Sequence, residues 1–167
     1  PELPRVFPPL RSLAPDQTNL PSRLTSFVGR ERELGELNAL ASDHRLITLI
    51  GTGGTGKTRL MLQFGADLTD RHADGVWLVE LASIADPTLV AAEIARTLRV
   101  GAEPARAQID TLTDFLRSKS LLLLIDNCEH LIGGVAGLVD HLLAAGPAVA
   151  IIASSREALG VEGEVVF

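Results

Sequence analysis

The sequence predicts an α/β domain of three layers, with helices on both faces of a mainly parallel, five-stranded sheet. Short aliphatic runs such as "RLITLI" and "LLLLID" alternate along the chain with stretches whose apolar residues recur at helical spacing. The runs are nearly continuous rather than alternating in polarity, as strands buried on both faces require. Glycine and proline punctuate the joints between them.

The elements follow in order. Residues 1–23 carry six of the nine prolines. Proline removes backbone donors and disfavours helix in the residue before it, so this segment reads as an extended linker or wrapping arm. Residues 24–167 form the predicted domain. Leu34, Leu37, Leu40 and Ala41 fall on one face of a helix over about 30–42, and "RLITLI" (45–50) is a buried strand. A helix runs from Lys57 to about Asp70 with Leu60, Phe64 and Leu68 inward; "GVWLVEL" (75–81) is the second strand. Asp86-Pro87 starts a helix over about 87–98, proline taking the favoured first position. Further helices are expected over 108–118 and 135–145, and strands at 121–126 and 148–154. The last residues, "GEVVF", read like a strand cut short, so the chain is expected to be part of a longer protein.

A length of 167 residues suits one well-buried core, built mostly of aliphatic residues because aromatics are only 4%. The formal charge of −6 argues against direct binding to nucleic acid or an anionic membrane, which need clustered Lys and Arg. The single cysteine, Cys128, leaves no intramolecular disulfide and suits a reducing, cytoplasmic setting. No apolar run approaches the ~20 residues that span a bilayer.

The strongest chemical signal is "GTGGTGKT" at 51–58, which fits G-x-x-x-x-G-K-[ST] between a buried strand and an amphipathic helix. Gly51, Thr52, Gly53, Gly54, Thr55 and Gly56 form a loop whose backbone N–H groups can converge on a phosphate, because glycine tolerates the required curl. The positive end of the next helix adds to the same point. Lys57 is placed to reach the β- and γ-phosphates and Thr58 to ligate Mg²⁺, with Arg59 in the same first turn. The nucleotide, ATP or ADP, is therefore the expected ligand. No N-K-x-D motif for guanine is present.

Such a loop needs a carboxylate at the end of a neighbouring strand, and Asp126, closing "LLLLID", is the candidate Mg²⁺ partner. Asn127 follows where many nucleotide hydrolases carry a second acid; it cannot accept a proton, though its amide could orient a water. Glu129 is either a general base or a solvated acid at a helix start. Cys128 and His130 lack the further ligands of a zinc site. Arg156, in "SSR" after the last strong strand, either reports the γ-phosphate or makes a surface contact.

"LTSFVGRERELGEL", "LITLIGTGGTGKTRL", "GVWLVELASIADPTLV", "LLLLIDNCEHL" and "IIASSREALGVEGE" together resemble the signal-transduction ATPases called STAND. The resemblance is nearest the bacterial branch found in SARP-type and related transcriptional regulators, and spans about 24–167. The proline-rich start resembles the junction after a class III cyclase domain. The resemblance implies that Val28, Gly29 and Arg30 lie against the adenine and that Arg156 is the sensor-1 arginine. It also implies helical and winged-helix domains beyond Phe167, an upstream cyclase or DNA-binding domain, and ATP-dependent homo-oligomerisation. The function it implies is a nucleotide-dependent switch with slow ATP hydrolysis. A non-hydrolysing, nucleotide-dependent assembly scaffold is the alternative, and a small-molecule kinase would need a lid that the sequence lacks.

Overall fold

In a computed structural model, residues 17–22 and 29–167 are described; Val28 and the residues just before it fall outside them. Among the described residues five α-helices and five strands follow the predicted alternation: α1 (Glu31–Asp43), β1 (Leu46–Ile50), α2 (Lys57–Asp67), β2 (Val76–Glu80), α3 (Val90–Thr97), α4 (Gln108–Leu116), β3 (Leu122–Asp126), α5 (Ile132–Ala145), β4 (Ala150–Ser155) and β5 (Glu164–Val166). The strands form one sheet in the order β2-β3-β4-β1-β5, and every pairing is parallel.

Successive side chains of a strand point to opposite faces, and the sheet uses both. Leu122 and Leu124 join Ile47, Leu49 and Ile152 beneath α1 and α2, where Leu37, Leu60, Met61 and Phe64 pack. Leu123 and Ile125 join Val79, Ile151 and Ala153 on the opposite face, covered by α3, α4 and α5 through Ile94, Leu112, Val139 and Leu142. These two apolar layers explain why the strands read as unbroken aliphatic runs. Burial at about 25 cal/mol per Å² of apolar surface makes the layers the main stabilising term.

Several boundaries differ from the sequence-based expectation. The helix from Lys57 ends at Asp67, and a 3₁₀ turn over Thr69–Arg71 finishes the segment. Pro87 opens a 3₁₀ turn, Pro87–Leu89, capped by the Asp86 side chain accepting the Thr88 N–H, before α3 proper begins. In α1 only Leu37 is fully buried; Leu34, Leu40 and Ala41 are partly buried against the same cluster.

Residues 17–20 lie along the outer edge of β2. Thr18 bridges Val76 in parallel sense, and the Val76 N–H donates to the Gln17 carbonyl at 3.2 Å. The Asn19 side-chain amide accepts the Leu78 N–H at 2.6 Å and donates to the Leu78 carbonyl at 2.8 Å. The amide thus stands in for a strand residue on an edge that would otherwise present unpaired backbone groups.

Candidate functional site

β4 lies between β1 and β3, so its carboxyl end is wedged between the loop that follows β1 and the residue that closes β3. The carboxyl edge of an open parallel sheet is where ligands of such folds bind. Three segments distant in sequence meet there: the glycine-rich loop, Asp126, and Ser154 to Arg156.

The loop turns into α2 through Gly56, whose φ of +82° is a left-handed conformation that a Cβ would strain. No side chain caps the start of α2. Its first N–H groups therefore face the loop mouth, where an anion can accept them. A Cβ on Gly51 would lie 2.9 Å from Thr55 Oγ1 and 3.5 Å from Lys57 Cδ, so the cradle is closed to a larger residue. Thr55 ties the loop internally by donating to the Thr52 carbonyl at 2.9 Å. The Lys57 ammonium folds back over the loop, donating to the carbonyls of Gly51 at 2.5 Å and Thr52 at 2.9 Å.

On the other side, Thr58 donates its hydroxyl to Asp126, with both carboxylate oxygens within 2.9–3.0 Å. Asp126 is only 5% exposed. Ser154, also buried, donates to Asp126 Oδ1 and accepts the Asn127 N–H at 3.0 Å. A buried carboxylate is tolerated only with such hydrogen-bond partners. Hydroxyl and carboxylate oxygens are also the hard donors Mg²⁺ prefers. The glycine cradle and this oxygen pair together fit a Mg²⁺–nucleotide, which these residues would hold between them.

Asn127 occupies left-handed backbone, φ 63° and ψ 53°. Asn is among the few residues that enter this region readily, because its short amide bonds locally. Its place after Asp126 is thus explained by the turn that starts the 3₁₀ segment Cys128–His130. That turn brings Glu129 towards Arg156: Glu129 Oε1 is 3.8 Å from Arg156 Nε. Both line an open cavity of about 580 Å³ with Asn127, His130, Ala82 and Glu157.

Cys128 and His130 diverge. The Cys128 thiol is buried, directed at the Ile125 carbonyl, and burial, then the charges of Asp126 and Glu129, push its pKa up to about 12. His130 Nε2 meets the Ile84 carbonyl at 2.8 Å. Among the described residues no group of three or more His, Cys, Asp or Glu could hold a metal ion.

Of the expected base-contacting residues, Val28 lies outside the described residues. Gly29 has φ +99° and donates its N–H to Glu31 at 3.3 Å. The Arg30 guanidinium donates to the Thr55 carbonyl at 2.7 Å, so it sits on the phosphate loop itself. Arg59 is exposed on the first turn of α2. Among the described residues no helix is long and apolar enough to cross a membrane. The residue that sequence reasoning undervalued is Ser154, which couples Asp126 to the turn at Asn127; its position at a strand end was legible, its buried contacts were not.

The chain is similar to several known proteins. Over 144 residues, 86% of the chain, it is 40% identical to an uncharacterized protein of Mycobacterium tuberculosis, of which it covers 37%. It is 42% identical over 131 residues, 78% of the chain, to a protein of the same species named as a candidate HTH-type transcriptional regulator, of which it covers 15%. The chain therefore spans a minor part of the relatives it matches. In three dimensions it is similar to Cdc6p from Pyrobaculum aerophilum, with TM-score 0.63 and 19% identity, covering 89% of this chain and 46% of that one. It is also similar to the Signal Transduction ATPase with Numerous Domains (STAND) protein with a tetratricopeptide repeat sensor from Pyrococcus horikoshii. That match has TM-score 0.62 and 18% identity, over 92% of this chain and 24% of that one. At these identities the likeness concerns the fold. The family model described as "AAA domain" matches residues 40–153, most of the sheet and the whole phosphate loop, and the chain belongs to that family of P-loop ATPase domains.

Proposed function

We propose that this domain is the ATP- and ADP-responsive module of a multidomain signalling or transcription-regulatory protein of the STAND type, working in the cytoplasm as a slow ATPase. The observation that carries the reading is the Thr58 hydroxyl against both oxygens of the buried Asp126, at the mouth of a glycine loop that opens α2. In this reading Thr58 and Asp126 hold Mg²⁺, which when bound offsets phosphate charge. Lys57 exchanges the Gly51 and Thr52 carbonyls for phosphate oxygens, a stronger, charge-assisted partner. The N–H groups of Gly53 to Thr58 bind the phosphates, and Arg59 flanks them. Gly29 and Arg30, with Val28, approach from the base side. Arg156 meets the terminal phosphate, and Glu129 orients or deprotonates water.

The regulatory part rests on differential affinity: ATP and ADP favour different arrangements of this domain against the domains that accompany it, and hydrolysis resets the balance. Relatives far longer than the matched segment, one named as a candidate transcriptional regulator, support a multidomain setting. Assembly of copies in the ATP state belongs to the same reading.

Two measurements test it. Fluorescent ATP and ADP should bind the wild-type chain with Mg²⁺ and lose at least tenfold in affinity with Lys57→Ala. Phosphate release by the full-length protein should fall with Asp126→Asn while binding is largely kept. Equal nucleotide affinity in wild type and Lys57→Ala would sink the assigned site.

A further inference from the structure

Glu129 is incompletely partnered. Its Oε2 is buried without a hydrogen-bond partner, while Oε1 faces the Arg156 guanidinium across 3.8 Å. A buried carboxylate oxygen without a donor is costly. The pair with Arg156 does little to offset it: at that distance there is no hydrogen bond, and the Arg156 side chain is 68% exposed. A long ion pair with one partner this exposed contributes little. Arg156 also stands at the crest of the phosphate loop, with one terminal nitrogen 4.0 Å from where a Cβ on Gly53 would lie. The guanidinium is thus within reach of two anionic partners, the Glu129 carboxylate and whatever phosphate the loop holds.

We propose that Glu129 sets the preference between nucleoside triphosphate and diphosphate by competing for Arg156. With a diphosphate in the loop, Arg156 stays on Glu129. With a triphosphate, Arg156 leaves the loose pair and donates to the terminal phosphate, where bidentate, charge-assisted hydrogen bonds are available. Glu129 is then a positioning residue: it withholds Arg156 from the phosphate, and its release frees a carboxylate beside the open cavity. Because the competing pair is weak, its removal changes the preference modestly, by about two- to fivefold. The inference rests on the nucleotide-binding reading above.

The test is a double-mutant cycle in the full-length protein, reading the ratio of dissociation constants for ADP and a non-hydrolysable ATP analogue. Glu129→Gln should raise the preference for the triphosphate by about two- to fivefold, Glu129→Asp should restore it part of the way, and Arg156→Gln should lower it. In the Arg156→Gln background the Glu129→Gln substitution should change the ratio little. The proposal is overturned if Glu129→Gln shifts the ratio equally with and without Arg156, which would indicate plain charge repulsion, or leaves it unchanged in wild type. Either result, with Lys57-dependent binding intact, leaves the nucleotide site standing. Loss of all nucleotide binding in the wild-type protein would instead bring down the underlying reading.

Discussion

Thr58 and Asp126 are 68 residues apart in sequence, yet the threonine hydroxyl lies within 2.9–3.0 Å of both oxygens of the aspartate. Thr58 is fixed by the first turn of α2 and Asp126 by the last residue of β3. Neither side chain has to be ordered by a loop, so the oxygen pair is organised before any ligand arrives, which lowers the entropic cost of binding.

That rigidity makes Thr58 testable by shape. Thr58→Val keeps the volume and removes the hydroxyl, leaving Asp126 with one fewer donor. We expect a stability loss of about 1–3 kcal/mol by urea unfolding, together with loss of Mg²⁺-dependent nucleotide binding. Thr58→Ser should retain both. Retention of Mg²⁺-dependent binding by Thr58→Val would show that the hydroxyl is not a metal contact.

Asn127 gives a second test. Its left-handed backbone accounts for its place after Asp126. Asn127→Gly should therefore be close to neutral, whereas Asn127→Val should cost about 1–2 kcal/mol, because a β-branched side chain is strained in that region where Asn is tolerated. Thermal unfolding of the two variants decides the matter. Equal melting temperatures would contradict the conformational account.

The inner strands were legible because burial on both faces leaves an unbroken aliphatic run, as in Leu122 to Ile125; β5, only partly buried, showed just as the short run "GEVVF". The phosphate loop was legible because its residue types are dictated by backbone curl and charge. α5 was not fully legible: it starts at Ile132, ahead of the expected 135, because Gly133 and Gly134 read locally as breakers. The reason for Gly134 is tertiary: a Cβ there would come within 2.6 Å of the Pro87 side chain. Ser154 is similar, since its partners Asp126 and Asn127 come from the end of another strand and the turn after it. The docking of Asn19 on Leu78 left no local signal, because an amide of that kind can satisfy any exposed strand edge.

The arm that carries Asn19 can be detached by design. Gly75 has φ +95°, and a Cβ there would fall 1.8 Å from the Gln17 carbonyl oxygen, far inside contact distance. Gly75→Ala should therefore strain the turn before β2 and push residues 17–20 off its edge, lowering stability by at least ~1 kcal/mol. Asn19→Ala should free the arm with a smaller loss, since the side-chain amide is exposed. Limited proteolysis supplies the measurement: cleavage between residues 17 and 22 should accelerate in both variants. Unchanged cleavage in Gly75→Ala would mean that the edge contact does not hold the arm in solution.

Asp74 yields a prediction about acid. Its carboxylate accepts the Ser120 N–H at 2.7 Å and faces Lys119 Nζ at 3.3 Å, joining the turn before β2 to the segment before β3. The Ser120 N–H, opposed by partial burial and aided by Lys119, holds this carboxyl below its ordinary range. A group whose folded pKa is depressed binds its proton more weakly folded than unfolded. Its stabilisation is therefore complete above the unfolded value, about 3.9, and is lost as pH falls through the lower folded value. Asp74→Asn should be less stable than wild type by a constant amount at neutral pH, and the gap should close at strongly acidic pH. Urea titrations from pH 7 to pH 2 measure the gap directly. A difference that persisted undiminished at the acid end would show that the asparagine NH2 disturbs the contacts to Ser120 and Lys119 by itself, and that the charge of Asp74 is not what stabilises the fold.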